Sequence, residues 1–302
     1  MSSLHPSRTE NTVTLEPGEP SDIPLPVPPP VVLNPNQALW EKGDFTAIAA
    51  LMRESGERVV RSLGVTPALR VLDLGCGDGT TALPLARTGA EVLGVDIARN
   101  LVAAGSRRAA EQNLDRLTFQ EGDACSLQGL GRHSFDLTLS MFGAMFAPKP
   151  FDVAKEMVRV TKPGGRIVMG NWIPNDPTSF VSQLLKISSG FTPPPPMGFV
   201  SPMTWGVESH IVDRFGLAGM PRDRIALVKD TYDFVSSDTP AQLIETFRRY
   251  YGPTMNAYDA AQRNGKMTDL HHQLLELVKS QNKATDGSTL ISATFLRVTV
   301  FL

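Results

Sequence analysis

Cysteine is nearly absent: only Cys76 and Cys125 occur in 302 residues. Two thiols build neither a disulfide framework nor a zinc cluster, and they suit a reducing, cytoplasmic setting. Histidine is scarce too, at five residues. The adjacent His271 and His272 cannot face one metal from a helix, so no metal site is expected. Positive charge has no surplus, the formal net charge being -2, which leaves no overall field to hold nucleic acid. No apolar run reaches the ~18 residues of a membrane span, and the N-terminus shows no apolar signal core. What is plentiful is hydrophobic residues, 41% of the chain, enough for a large domain with a real core.

Residues 1–35 are rich in Pro, Ser and Thr, with five prolines between Pro24 and Pro30. Such a stretch favours extended polyproline II over helix and reads as a disordered tail. Residues 36–302 read as one domain. Apolar residues recur at helical spacing from Ala38 to Leu63. Strands then alternate with helices. The strands fall at Arg70–Leu74, Glu91–Ile97, Leu117–Glu121, Phe135–Ser140 and Arg166–Trp172, and the helices at Thr80–Thr88, Arg99–Asn113 and Phe151–Val160. Lys162-Pro163-Gly164-Gly165 is a turn that ends the last of these helices. The alternation predicts a doubly wound α/β fold with right-handed crossovers. Beyond Trp172 the rhythm breaks. Helices are expected at Phe180–Ser189, Glu208–Phe215, Ala241–Tyr251 and Thr268–Gln281, and strands at Arg224–Phe234 and Thr294–Leu302. The extra helices, in insertions at about 174–222 and 236–290, suggest a cap over the sheet edge where ligands bind.

The chemistry starts at Val71-Leu72-Asp73-Leu74-Gly75-Cys76-Gly77-Asp78-Gly79-Thr80, which leaves a strand and opens a helix. Glycines at 75, 77 and 79 let the backbone turn and approach a ligand closely, and the helix start offers free N–H groups to an anionic end. The dinucleotide pattern G-x-G-x-x-G fails, since position 80 is Thr. A pyrophosphate does not call for Asp73, but a ligand carrying an ammonium group does.

This segment resembles motif I of the class I S-adenosylmethionine (SAM)-dependent methyltransferases, and further pieces follow in register. Val95-Asp96-Ile97, Gly122-Asp123-Ala124, Ser140-Met141-Phe142-Gly143 and Lys162-Pro163-Gly164-Gly165-Arg166 stand where that family places its other motifs. The resemblance implies a Rossmann-like, mostly parallel seven-stranded sheet with an antiparallel last strand. It implies SAM as cofactor, with Asp73, Gly75, Cys76 and Gly77 along its methionine end. Asp96 and Ile97 fall at the ribose, Asp123 and Ala124 at the adenine, and Ser140 and Phe142 against the cofactor. Trp40-Glu41-Lys42-Gly43-Asp44-Phe45 resembles an element of the type 11 branch, which includes the ubiquinone and menaquinone C-methyltransferases. That places Trp40 and Phe45 beside the sulfonium, where an aromatic face attracts a cation.

The acceptor is less legible. Ser140-Met141-Phe142-Gly143 is not the Asp/Asn-Pro-Pro-Tyr of enzymes that methylate exocyclic amines, and two cysteines are too few for a soft arsenite-type acceptor. A small organic acceptor, apolar or aromatic, is expected. Its pocket is assigned to Phe45, Met145, Phe146, Asn171, Trp172 and Trp205, and His210 is the candidate base. The attacking atom and the oligomeric state stay open. So do two other readings: a non-catalytic SAM-binding scaffold, and another SAM-using transferase.

Overall fold

A computed structural model describes Met1 and residues 35–302; the expected Pro-rich tail lies outside the described residues. Chain contacts separate Met1–Val32 from Leu33–Leu302, and the second unit carries everything below. Seven strands form one sheet in the order β3-β2-β1-β4-β5-β7-β6. The strands are β1 Arg70–Leu74, β2 Glu91–Asp96, β3 Leu117–Glu121, β4 Phe135–Met141, β5 Thr161–Trp172, β6 Ile225–Ser236 and β7 Thr289–Phe301. Strands β1 to β5 pair in parallel, and β7 runs antiparallel to both of its neighbours, β5 and β6. The Rossmann-like sheet with an antiparallel last strand is therefore what the chain forms. Fully buried apolar runs such as Val71-Leu72 and Ile167-Val168-Met169 fill it on both faces, as a sheet covered by helices requires.

Three helices precede the sheet: α1 Pro35–Glu41, α2 Phe45–Ala50 and α3 Arg53–Ser62. Three flank it at the crossovers: α4 Ala82–Arg87, α5 Arg99–Glu111 and α6 Pro150–Val160. The Lys162–Gly165 turn sits inside β5 as a bulge, between the pairs Phe135↔Thr161 and Leu137↔Arg166. Gly164 there takes φ +79°, a value costly for any residue with a Cβ.

Past β5 come α7 Phe180–Ser189 and α8 Glu208–Leu217, then, between β6 and β7, α9 Pro240–Tyr250, α10 Gly252–Arg263 and α11 Met267–Gln281. Helix α8 packs on α6 beside the sheet, whereas α7, α9, α10 and α11 pack on one another, with α2 against α9 and α1 against α10. The sequence pattern leaves α10 out, because Gly252-Pro253 reads as a break. In the fold the pair forms the helix's first turn, where a missing N–H is no loss.

The far end of β6 reaches the N-terminal helices at the carboxyl edge of the sheet. Val235 N–H donates to the Leu51 carbonyl at 2.9 Å, and the Ser55 hydroxyl bonds both backbone groups of Asp233. The last strand in space thereby docks on the N-terminal helices, and the edge above β1 and β4 becomes the floor of a chamber.

Candidate active site

The chamber is a cavity enclosing about 1100 Å³ of space out to its open mouth. One end is built from the loops that leave β1, β2, β3 and β4. Gly75, Gly77 and Gly79 all adopt left-handed backbone, at φ +69°, +56° and +88°. A Cβ on Gly75 would lie 2.6 Å from the Cα of Gly143, so the β1 and β4 loops touch backbone to backbone. Gly77 is different: a Cβ there would meet only Phe45, at 4.0 Å, so its bare backbone faces open space.

The carboxylate of Asp96, 8% exposed, accepts from the Gly77 N–H at 2.8 Å and from the Ala98 N–H at 2.9 Å. It links the glycine loop to the start of α5, and burial raises its pKa. Asp123 accepts from the Cys125 N–H at 2.8 Å, which closes the β3 loop. Asp78, buried in the glycine loop, is gripped by Arg53 through both terminal guanidinium nitrogens, with Arg108 donating to its carbonyl at 2.6 Å. These two arginines were not singled out from sequence, since nothing local to Arg53 or Arg108 announces a partner in the loop after β1.

Asp73 lies behind that loop and does not reach the cavity wall. Its Oδ2 accepts from the Thr81 hydroxyl at 2.6 Å, while Oδ1 is buried without a hydrogen-bond partner. Burial first, then the neighbouring Asp96 charge, push its carboxyl up to about 7. Burial also holds the Cys76 thiol well above its ordinary value, so it is no nucleophile. Ser140 is likewise behind the wall, its hydroxyl accepting from the Ala144 N–H at 3.0 Å.

The other end is aromatic. Trp40 meets Phe45 and Phe146 edge-on, at ring separations of 5.6 and 4.9 Å. Phe142, at φ +63°, lies flat on Trp172 at 3.8 Å and meets Tyr232 edge-on. Phe234, Phe247 and Tyr251 complete the wall. Helix α1, which carries Trp40, roofs this end. Glu41 is held by Arg99 of α5, whose hydrogen bonds pull its carboxyl down to about 2. Lys42, just beyond α1, pairs with Asp259 of α10 at 2.6 Å. A Cβ on Gly43 would strike the Tyr250 carbonyl, and one on Gly252 the Leu39 carbonyl, so roof and cap meet through bare backbone.

The structure thus brings Trp40, Gly75, Cys76, Gly77, Asp96, Ile97, Asp123, Ala124 and Phe142 around one cavity, joined by Phe45, Phe146 and Trp172. It does not bring the rest. Asn171 pairs with Leu296 within the sheet and, one residue from Trp172, projects to the opposite face. Met145 is core. Trp205 is buried under the Arg214 guanidinium, 4.6 Å above its ring, on the α8 side. His210 is exposed on α8, away from the cavity wall. Among the described residues no His, Lys, Arg or Glu lines the cavity.

Comparison with known proteins agrees with this geometry. A family model described as a methyltransferase domain, type 11, matches residues 72–169. The uncharacterized protein Rv1405c of Mycobacterium tuberculosis is 32% identical over 244 residues, 80% of this chain and 86% of that protein. Demethylmenaquinone methyltransferase of Renibacterium salmoninarum is 35% identical over 114 residues, 38% of this chain and 46% of that enzyme. A putative methyltransferase of Bacillus halodurans, at 15% identity, has the same fold over 82% of this chain and 98% of its own, with a TM-score of 0.53. Motif loops gathered at one sheet edge and a matching domain model over the same residues lead to one conclusion: the chain belongs to the class I SAM-dependent methyltransferases, in the type 11 branch.

Proposed function

We propose that residues 36–302 form a domain that moves a methyl group from SAM to a small, apolar organic acceptor. The observation that carries this is Gly77. A left-handed glycine, open to the cavity and tied by its N–H to Asp96, makes a cradle that any Cβ would crowd. The residues present fit SAM. Asp96, already turned to the cavity, keeps lone pairs for the ribose hydroxyls, and Asp123 stands on the next loop for the adenine. The unpartnered Oδ1 of Asp73 lies behind the loop where a methionine ammonium would rest, and that ammonium would favour the charged form of the carboxyl. When bound, SAM supplies an electrophilic methyl on sulfur.

What the chain supplies is alignment and dryness. Trp40, Phe45 and Phe146 cover the cavity, exclude water and offer ring faces to positive charge. In-line positioning of the acceptor behind the methyl is the chief contribution the wall makes to the rate. Calorimetric titration with SAM and with S-adenosylhomocysteine tests the reading. Micromolar binding of both is the expected result, and binding of neither would overturn it.

A further inference from the structure

The chain between α7 and α8 holds large apolar side chains out in solvent. Met197 is 102% exposed, Phe199 55% and Val200 40%. They follow four consecutive prolines, Pro193–Pro196, whose rings fix φ at about -65° and stiffen the stretch. The Phe199 N–H donates to the Pro196 carbonyl at 3.1 Å, and Gly198 turns at φ +83° with no atom within 4 Å of where a Cβ would stand. Met197 and Phe199 therefore flank a tight turn at the tip of a stiff loop. Apolar groups clustered in water in this way mark a contact surface. The root of the loop is basic. Gly190 and Phe191 share an open groove with Lys186 of α7 and, at the start of α11, with Lys266, Asp269 and His272. Lys186 and Lys266 are exposed, and among the described residues neither ammonium has an ion-pair partner. Asp269 is the one carboxylate on that groove.

We propose that this loop docks the protein on an anionic lipid surface: Met197, Phe199 and Val200 enter the boundary between headgroups and acyl chains, and Lys186 and Lys266 meet the phosphates. The tip is convex and carries no polar side chain. A fluid apolar layer deforms around such a tip, whereas a protein partner has to supply a fitted pocket. The dimensions agree. Four residues of polyproline II rise about 3.1 Å each, which sets the tip roughly 12 Å along the chain from its basic root. Apolar side chains settle about 5–10 Å into the boundary, and the lysines then lie at the level of the headgroups. Three apolar side chains and two lysines make a reversible anchor, strengthened by the negative potential of the surface. The tip residues do not line the cofactor cavity, so this docking is independent of the methyl-transfer reading.

Co-sedimentation of the full chain with vesicles tests this, using phosphatidylcholine alone and phosphatidylcholine with about one third phosphatidylglycerol. Binding to the anionic vesicles is expected at least about fivefold above the neutral ones, falling toward the neutral level in about 0.5 M salt. The double variant Met197→Ser, Phe199→Ser should bind the anionic vesicles at least about fivefold less. Its melting temperature should match wild type, because both side chains are exposed. Lys186→Gln combined with Lys266→Gln should erase the preference for phosphatidylglycerol while leaving the weak binding to neutral vesicles. Absence of sedimentation with anionic vesicles, or equal sedimentation of the Met197→Ser, Phe199→Ser variant, would overturn the proposal. So would a dimer seen by light scattering without lipid and dispersed by that variant, since the tip would then belong to a second copy of the chain.

Discussion

At the scale of single residues, two aspartates set the behaviour of the cofactor end. Asp96 ties Gly77 to α5 and faces the cavity, so Asp96→Ala is expected to weaken SAM by about 1–3 kcal/mol. Calorimetry that returns an unchanged affinity would take Asp96 out of the site. Asp73 sets a pH dependence. Its carboxyl titrates near 7 in the fold against 3.8 in the free chain, so the folded protein holds an extra proton between those values. Stability therefore falls as pH rises from about 4 to about 7. Asp96, also raised, acts in the same direction. Carboxyls pulled down by partners, such as Glu41 and Glu156, have the opposite sign, and their contribution is complete by about pH 5. The protein without ligand should thus melt at a lower temperature at about pH 7.5 than at about pH 5.5, and Asp73→Asn should flatten most of that decline. A wild-type melting point that climbs across this interval would contradict the buried, protonated Asp73. The same logic gives SAM affinity that grows with pH across the interval, since a nearby ammonium favours the charged carboxylate. The motif residues were legible because each stands a fixed step from a strand end. Asn171 and Trp172 could not both face the acceptor, because neighbours on a strand point to opposite faces; an assignment by strand end alone misses that alternation.

At the scale of elements, β1, β3 and α7 begin and end where their patterns predict, since a buried strand or an amphipathic helix announces itself locally. Contacts between elements were not legible. Gly43 and Gly252 are unremarkable in sequence, yet they let the α1–α2 turn press against the α9–α10 turn. Gly252→Ala forces its new methyl against the Leu39 carbonyl and should cost about 1–3 kcal/mol. A thermal melt reads this directly, and a wild-type melting point in the variant would mean the two turns separate freely. Arg53 with Asp78 is a second such contact. Arg53→Gln leaves a buried carboxylate with Arg108 alone, and a loss of about 2–3 kcal/mol is expected in chemical denaturation. A denaturation midpoint within error of wild type would show that Arg108 suffices.

At the scale of the whole molecule, one cavity is closed by parts far apart in sequence: α1 and α2 near residue 40, the motif loops, the end of β6, and α9. Phe234 enters the wall from the end of β6, which docks on Leu51 and Ser55, while Phe247 on α9 and Tyr251 just after it enter from a helix that packs on α2; no local pattern encodes either contact. Ligand bound at the motif loops should therefore slow hydrogen exchange in α1–α2 and in the far half of β6 as well. Protection confined to the glycine loop and β2 would show that the wall does not respond as a unit.

Besides ring packing and backbone contact, the roof over the aromatic end is fastened by surface ion pairs, Glu41 with Arg99 and Lys42 with Asp259. Exposed pairs of this kind contribute about 0–1 kcal/mol each, and their reach shrinks to about 10 Å in 0.1 M salt. The outer fastenings of the roof therefore hold weakly and by charge, while the inner ones, glycine against carbonyl, hold by shape. Dissolved salt should loosen the first and leave the second untouched, so stopped-flow release of S-adenosylhomocysteine is expected to quicken as ionic strength rises.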